Sequence, residues 1–168
     1  MNPIDWLLDR NLGYRHLSDG EKEAMTHFVM LWTLFEAEVL RTKASIGGIF
    51  DVVNELCGKG LLSRDEFVPA LGYWKDRYLD GGQPNYYFER LRFRDNDKQE
   101  FVLSVLKEEA VELSEIATAL LIIVYRIRNN LFHGSKWSFA MLGQKENFTF
   151  SSHLLMHVYD AHEQKALV

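Results

Sequence analysis

Apolar side chains recur every three or four residues over most of the chain, which is the spacing of a buried helix face. The clearest example follows Ser18 and Glu21, whose three-residue spacing is that of a capping box at a helix N-terminus. The stripe after them consists of Met25, Phe28, Val29, Trp32, Phe35, Val39 and Leu40. We therefore predict a long amphipathic helix over about residues 19–44.

Three shorter helices are predicted in the middle of the chain. The first runs from Ile46 to Cys57 and ends at glycines that follow it. The second begins at another capping-box spacing, residues 63–66, and stops at the glycine pair 81–82. Pro84 is placed to occupy the first turn of a short third helix. The apolar residues that the second helix would bury are Phe67, Leu71, Trp74 and Tyr78.

The C-terminal half carries the most apolar helical pattern in the chain. This pattern covers about residues 98–133, as one helix or as two helices with a break near Glu108. A loop containing Trp137 and Gly143 follows, and a last amphipathic helix is predicted over about residues 150–165. The fold class that these patterns predict is all-α, with residues 1–168 forming a single bundle of four to six helices.

Composition supports a compact domain and narrows its setting. The 168 residues are 47% apolar and 13% aromatic, which is ample material for a core. The single cysteine, Cys57, cannot form an intrachain disulfide, and Asp5 and Asp9 stand where a signal peptide would need positive charge. The longest apolar run, residues 119–125, is too short to span a bilayer. We therefore expect a cytoplasmic protein with no membrane role.

A net charge of -5 argues against a protein that coats nucleic acid non-specifically. A local basic groove remains compatible with this acidic total. Charge alone therefore neither establishes nor excludes an RNA substrate.

The segment from Arg128 to Gly134 carries the candidate chemistry. Arg128 and His133 are five residues apart, so on an unbroken helix they would point about 140° apart, whereas Asn129 and His133 would share a face. The three side chains can converge only if the helix ends nearby. Gly134 is a plausible end, because a glycine just past the last turn can adopt a left-handed conformation.

These residue types suit phosphodiester chemistry. Histidine can take the proton from an attacking ribose 2′-hydroxyl or protonate the leaving oxygen, and arginine holds a permanent charge for a phosphate in the transition state. Asn129 could orient the imidazole or a phosphate oxygen. This chemistry requires neither a metal nor another cofactor. The alternative is that Arg128 and His133 are simply favourable partners of a helix C-terminal dipole.

The string formed by Arg128, Asn129 and His133 resembles the defining motif of the HEPN superfamily, an arginine, a polar residue and then a histidine, here followed by the usual glycine, Gly134. The segment from residue 28 to 37 also resembles the first long helix of many HEPN proteins, in which a tryptophan and a glutamate follow an apolar stretch. Together the two matches cover roughly residues 20–165 in helical order.

The resemblance implies a HEPN-like bundle that commonly forms a homodimer, with the motifs of the two protomers facing one another. It implies a metal-independent endoribonuclease, such as a toxin or a phage-defence effector, in which Arg128 and His133 are catalytic and Asn129 supports them. The implied partners are RNA and an antitoxin or regulatory protein. One subfamily has a tyrosine two residues after the histidine, where this chain has Ser135, so pairing with that subfamily's antitoxin is not implied. The alternative is a non-catalytic HEPN module that binds a nucleotide, an RNA or a partner protein.

Three further residues are candidates for supporting the motif. Glu36 could pair with Arg128 and orient the guanidinium, as the likeness in the first long helix suggests. Asn130 adjoins the motif, and Trp137 is close enough in sequence to serve as a base-stacking platform.

Two other clusters favour ordinary structural roles. His153, His157 and His162 include a pair at i,i+4 spacing that could in principle bind a metal. No glutamate lies between them as in a zincin helix and no cysteine accompanies them, so no metal site is predicted. Three alternating arginines with two neighbouring phenylalanines have the character of a single-strand RNA contact, but two aspartates follow at once, which favours a solvated turn. These residues are Phe88, Arg90, Arg92, Phe93, Arg94, Asp95 and Asp97.

Overall fold

The structure is a computed structural model that describes residues 1–108, 111–132 and 142–165. Within these ranges it contains nine α-helices, one 3-10 turn (Arg64–Glu66) and a minimal hairpin of two short strands, so the all-α prediction is confirmed. The described helices outnumber the predicted four to six because short helices flank the long ones. The helices are α1 (Pro3–Arg10), α2 (Leu12–Arg15), α3 (Asp19–Glu38), α4 (Ile46–Gly58), α5 (Val68–Tyr78), α6 (Tyr86–Glu89), α7 (Gln99–Lys107), α8 (Leu113–Phe132) and α9 (Lys145–Lys165), and the strands are β1 (Leu79–Asp80) and β2 (Gln83–Pro84).

The long helix α3 begins at the predicted capping box. The Ser18 hydroxyl accepts a hydrogen bond from the Glu21 amide at 3.2 Å, and the Glu21 carboxylate accepts one from the Ser18 amide at 2.9 Å. The helix ends at Glu38 rather than near residue 44. Its stripe of apolar residues continues beyond this end, but Arg41 and Thr42 have positive φ angles of 50° and 61°, which turn the chain away from the helix axis.

The start of α3 is also tied to the chain just before α9. The Glu21 carboxylate accepts a hydrogen bond from the Gly143 amide at 2.8 Å. The backbone hydrogen bonds from Ser18 and Gly143 together lower the pKa of Glu21. One side chain therefore caps α3 and anchors the chain that enters α9.

The strongly apolar span predicted over residues 98–133 is divided between α7 and α8. Glu108 has an extended backbone and caps the end of α7, so the break lies where the sequence offered one as an alternative. The C-terminal helix α9 begins at Lys145, earlier than the predicted residue 150. Asn147 and Phe148, which precede the predicted start, lie in this first part of α9 and are buried.

Helix α8 is the most deeply buried element of the described chain. Residues 116–124 are buried without interruption, so this part of α8 has no solvent-exposed face. It packs against α4 and α7, while α3 packs along α9. The stacked rings of Phe28 and Phe148, with centroids 5.3 Å apart, join α3 to α9. A helix buried on all sides is fixed in position, which fixes the residues at its C-terminal end as well.

Buried polar groups near the end of α8 hold the segment 90–92. The Arg126 guanidinium donates to the backbone carbonyls of Leu91 and Arg92, and its Nη1 lies 2.8 Å from Asp97 Oδ2. The Asn130 amide, one turn later, donates to the Leu91 carbonyl at 2.9 Å. Burial lowers the pKa of Arg126, and the Asp97 carboxylate opposes that change.

No helix within residues 1–108, 111–132 and 142–165 has both the length and the apolar character needed to cross a membrane.

The Arg126–Asp97 pair yields a stability prediction. Asp97→Asn removes the negative charge and leaves the Arg126 cation buried without a counterion, so the free energy of unfolding should fall by about 3 kcal/mol. Urea denaturation followed by circular dichroism measures this loss. Asp95→Asn is the matched control, because Asp95 is exposed, and it should leave stability nearly unchanged. A loss for Asp97→Asn no larger than that of the control would contradict the assigned role.

Candidate functional site

Arg128 lies on α8 and its side chain faces α3. Its Nη2 donates to Glu36 Oε2 at 3.1 Å, so the predicted pairing with Glu36 is present. The same carboxylate oxygen accepts a hydrogen bond from the indole Nε1 of Trp32 at 2.5 Å. Glu36 therefore joins a buried tryptophan of α3 to the motif arginine of α8.

Two aromatic rings contact the guanidinium of Arg128. Its Cζ lies 5.5 Å from the ring centroid of Trp32 and 5.2 Å from that of Phe132. Both distances fall within the range of cation–π contacts. Trp32 is buried, whereas Phe132 is 54% exposed. The arginine is thus supported from the core by one ring and bordered at the surface by the other.

The arginine remains partly open to solvent. Its side chain is 27% exposed, and Nη1 donates to the side-chain oxygen of Asn129 at 2.9 Å. The Nε atom is buried and has no hydrogen-bond partner among the described residues. A guanidinium offers five N–H groups, and these contacts use two of them, so terminal N–H groups remain for a further acceptor.

Asn129 and Asn130 have different surroundings although both are buried. The side-chain oxygen of Asn129 accepts a hydrogen bond from Arg128. Asn130 lies two residues from Arg128, about 200° around the helix, and its amide donates to the carbonyls of residues 90 and 91 instead. The predicted supporting role of Asn130 therefore becomes one of holding the neighbouring segment, with no contact to Arg128.

The remaining motif residues lie outside the described residues. This applies to His133 and Gly134, and also to Trp137. The described part of the site is accordingly its arginine side: Arg128, Asn129 and the α3 residues that hold them.

Trp32 is the site residue that the sequence interpretation assigned only to the core. It does pack in the core, against Phe35 and Tyr125 with ring centroids 5.9 Å and 6.1 Å away. Its indole nitrogen and ring face also hold Glu36 and Arg128. The available signal was the i,i+4 spacing of Trp32 and Glu36, which places the two on one face of α3.

The three histidines of α9 do not form a cluster with other ligands. His157 Nδ1 lies 3.6 Å from a Glu66 carboxylate oxygen, and the His153 ring lies 6.4 Å from that of Phe150. Burial and the neighbouring Lys165 lower the pKa of His162. Among the residues that the structure describes, no group of three or more histidine, cysteine, aspartate or glutamate side chains is placed to hold a metal ion.

Comparison of the chain with models of known protein families, with curated proteins and with solved structures finds no match.

The Glu36–Arg128 pair can be measured by a double-mutant cycle. Glu36→Gln and Arg128→Gln should show a coupling energy of about 1 kcal/mol in urea denaturation, because the pair is half-buried and hydrogen-bonded. Glu38→Gln, on an exposed position of the same helix, is the control and should not couple to Arg128→Gln. Equal coupling for Glu36 and Glu38 would mean that the ion pair does not form in solution.

Proposed function

We propose that this chain is a metal-independent endoribonuclease of the HEPN type, with His133 as the acid and base and Arg128 as the group that stabilises charge on the phosphate. The observation that supports this most is the arrangement around Arg128. Its guanidinium is held by Glu36, Trp32 and Asn129, yet its side chain stays 27% exposed. An arginine that is oriented in advance and still accessible can bind a phosphate without first losing side-chain freedom.

The reaction would follow the chemistry of a ribose 2′-hydroxyl. His133 removes the hydroxyl proton, and the 2′-oxygen attacks the adjacent phosphorus. The bond from phosphorus to the 5′-oxygen breaks as that oxygen receives a proton from the protonated His133 imidazole. The products are a 2′,3′-cyclic phosphate and a 5′-hydroxyl end. Arg128 binds the non-bridging oxygens, on which negative charge increases in the transition state.

Arg128 lies near the C-terminal end of α8, where its positive charge is needed to bind a phosphate. The carbonyl end of a helix carries partial negative charge, which repels a phosphate. Anion binding here therefore depends on cationic side chains. Within residues 126–132, Arg126 is buried with Asp97, which leaves Arg128 as the accessible cation.

The wider setting follows from the same proposal. The enzyme would act on RNA in the cytoplasm as a homodimer, with the two motifs close to the dimer interface. A toxin controlled by an antitoxin or another regulatory partner, and a phage-defence effector, are the two settings that fit such an activity.

A second candidate function is a non-catalytic HEPN module that binds a nucleotide, an RNA or a partner protein. The pairing of Arg128 with Glu36 favours it, because a carboxylate already occupies one of the guanidinium's terminal nitrogens. The net charge of -5 favours it as well. In this case Glu36 and Arg128 would form a structural ion pair, and Arg128 would not have to leave Glu36 to bind a phosphate.

The ribonuclease proposal predicts cleavage that survives removal of metals. Purified protein should cut single-stranded RNA in excess chelator and leave 2′,3′-cyclic phosphate ends, whereas His133→Ala and Arg128→Ala should lose at least about 100-fold in rate, the usual contribution of such groups. Product ends are identified by mass spectrometry. An oligodeoxynucleotide of the same sequence should remain intact, because it lacks the attacking hydroxyl.

Matched controls separate this activity from a contaminant. His27→Ala and Arg10→Ala remove an exposed histidine and an exposed arginine that are distant from the motif in sequence, and both variants should cut as the wild type does. Equal cleavage by all variants, or none by any, would refute the catalytic proposal. RNA binding by a wild type that never cuts, unchanged in His133→Ala, would establish the second candidate in its place.

A further inference from the structure

A second cluster of aromatic and cationic side chains lies outside the Arg128 site, on α5 and α6. We call it the Tyr–Arg surface and define it as Arg77, Tyr86, Tyr87 and Arg90. Tyr86 is 60% exposed and Tyr87 is 52% exposed, although both are large and partly apolar. Phe88 and Phe93, which the sequence suggested as the aromatic partners of the nearby arginines, face inward and pack on each other with centroids 5.2 Å apart.

Each exposed tyrosine carries an arginine on its ring. The Arg90 guanidinium lies 5.0 Å from the ring centroid of Tyr86, and that of Arg77 lies 5.0 Å from the ring centroid of Tyr87. The two tyrosine rings meet edge to face, with centroids 5.8 Å apart and planes at 70°. The result is a continuous strip in which two adjacent aromatic rings have an arginine at each end.

The backbone under this strip is firmly held. The side-chain oxygen of Asn85 accepts hydrogen bonds from the amides of Tyr87 and Phe88 at 2.9 Å and 3.2 Å. Its amide nitrogen donates to the Arg77 carbonyl at 2.9 Å, which ties α6 to the end of α5. The backbone that carries the rings is therefore held in place, so a ligand that stacks on them would not first have to order this part of the backbone.

Several cationic side chains are close together here although the whole chain is acidic. Exposed arginines continue from Arg90 along the chain to Arg92 and Arg94, with Glu89 and Asp95 exposed among them. Near Arg77 the exposed acidic residues are Asp76 and Asp80. Asp97, which follows, is buried and paired with Arg126. Single-stranded nucleic acids are bound by this combination of a cationic track and aromatic rings on which bases stack.

The Tyr–Arg surface is joined to the candidate active site through α8. The carbonyls of residues 90–92 are held by Arg126 and Asn130, which stand two residues on either side of Arg128. The segment 90–92 and the Arg128 side chain therefore contact the same end of α8, a helix that is about 10–12 Å across with its side chains. Arg77 Nη2 also donates to the carbonyl of Gly143 at 3.4 Å. Gly143 follows the motif in sequence and belongs to the described range 142–165.

We propose that the Tyr–Arg surface binds single-stranded RNA beside the cleavage site, with bases stacked on Tyr86 and Tyr87 and phosphates held by Arg77 and Arg90. This inference rests on the proposed ribonuclease function for the identity of the ligand. It adds a specificity: the substrate must have unpaired bases next to the bond that is cut, because paired bases in a duplex cannot stack on protein rings.

The test uses binding to an RNA that cannot be cleaved. A fluorescent 2′-O-methyl oligonucleotide of about 12 nucleotides, within the range of known single-strand sites, is titrated with the full chain and followed by anisotropy. Tyr86→Ala with Tyr87→Ala should weaken binding at least about tenfold, as the loss of stacked bases requires. Tyr86→Phe with Tyr87→Phe should bind as the wild type does, because the rings remain.

Trp6 provides a matched control on a different helix. It is 43% exposed on α1 and has the Arg10 guanidinium 5.0 Å from its ring centroid, so it is the same kind of exposed aromatic–arginine pair. Trp6→Ala should leave the affinity unchanged. A duplex of the same sequence should compete poorly with the single strand.

Failure of this inference and failure of the ribonuclease proposal are distinguishable. If the wild type and the Tyr→Ala variant bind the oligonucleotide equally, or neither binds it, or the duplex competes equally well, the Tyr–Arg surface is not a single-strand site, whatever the cleavage assay gives. If binding falls in the Tyr→Ala variant but no form of the chain cuts RNA, the surface stands and the catalytic proposal fails. If both stand, the Tyr→Ala variant should raise KM and leave kcat nearly unchanged, whereas His133→Ala should lower kcat.

Discussion

The carboxylate of Glu36 is the contact on which the candidate site depends. One of its oxygens accepts hydrogen bonds from Trp32 within α3 and from Arg128 on α8. A tryptophan N–H and a guanidinium would each lose a partner if this carboxylate were absent, and a half-buried arginine would lose its counterion. A single acidic side chain thus determines where the motif arginine points, and the indole ring below keeps the guanidinium from turning toward the core.

The opposite side of α8 is fixed by a different set of buried polar groups. Arg126 and Asn130 lie one turn apart and both donate to carbonyls of the segment 90–92, with Asp97 balancing the charge of Arg126. The end of α8 is therefore held from two sides, by α3 through Glu36 and by this segment. Two-sided support is what a preorganised site requires, because it keeps the functional side chain in one geometry before the ligand arrives.

Much of this arrangement could be predicted from the sequence, and the limits have physical causes. The 3.6-residue periodicity and the capping box fixed the helical class and the start of α3, and the family likeness pointed to the pairing of Glu36 with Arg128. The end of α3 was misplaced because Val39 and Leu40 continue the apolar stripe, while the positive φ angles of Arg41 and Thr42 have no signature of glycine or proline. The spacing of apolar residues indicates which face of a helix is buried, but it does not indicate where the backbone turns away from the helix axis.

Long-range polar contacts were the second limit. The sequence around Arg126 does not identify its partners, because Asp97 and the carbonyls near residue 91 come close to it only in the folded chain. Tyr86 and Tyr87 had no pattern that would mark them as exposed, since alternation along a four-residue helix is too short to define a face. Contacts between residues far apart in sequence depend on packing, which a local pattern does not contain.

The most direct test of the central claim is a crystal structure of the protein with an uncleavable 2′-O-methyl RNA bound. We expect a phosphate oxygen within about 3 Å of a terminal nitrogen of Arg128, with the imidazole of His133 beside the same phosphodiester. The contrary result would be RNA bound elsewhere, with Arg128 still held only by Glu36 and Asn129 and with His133 packed into the core of its own protomer.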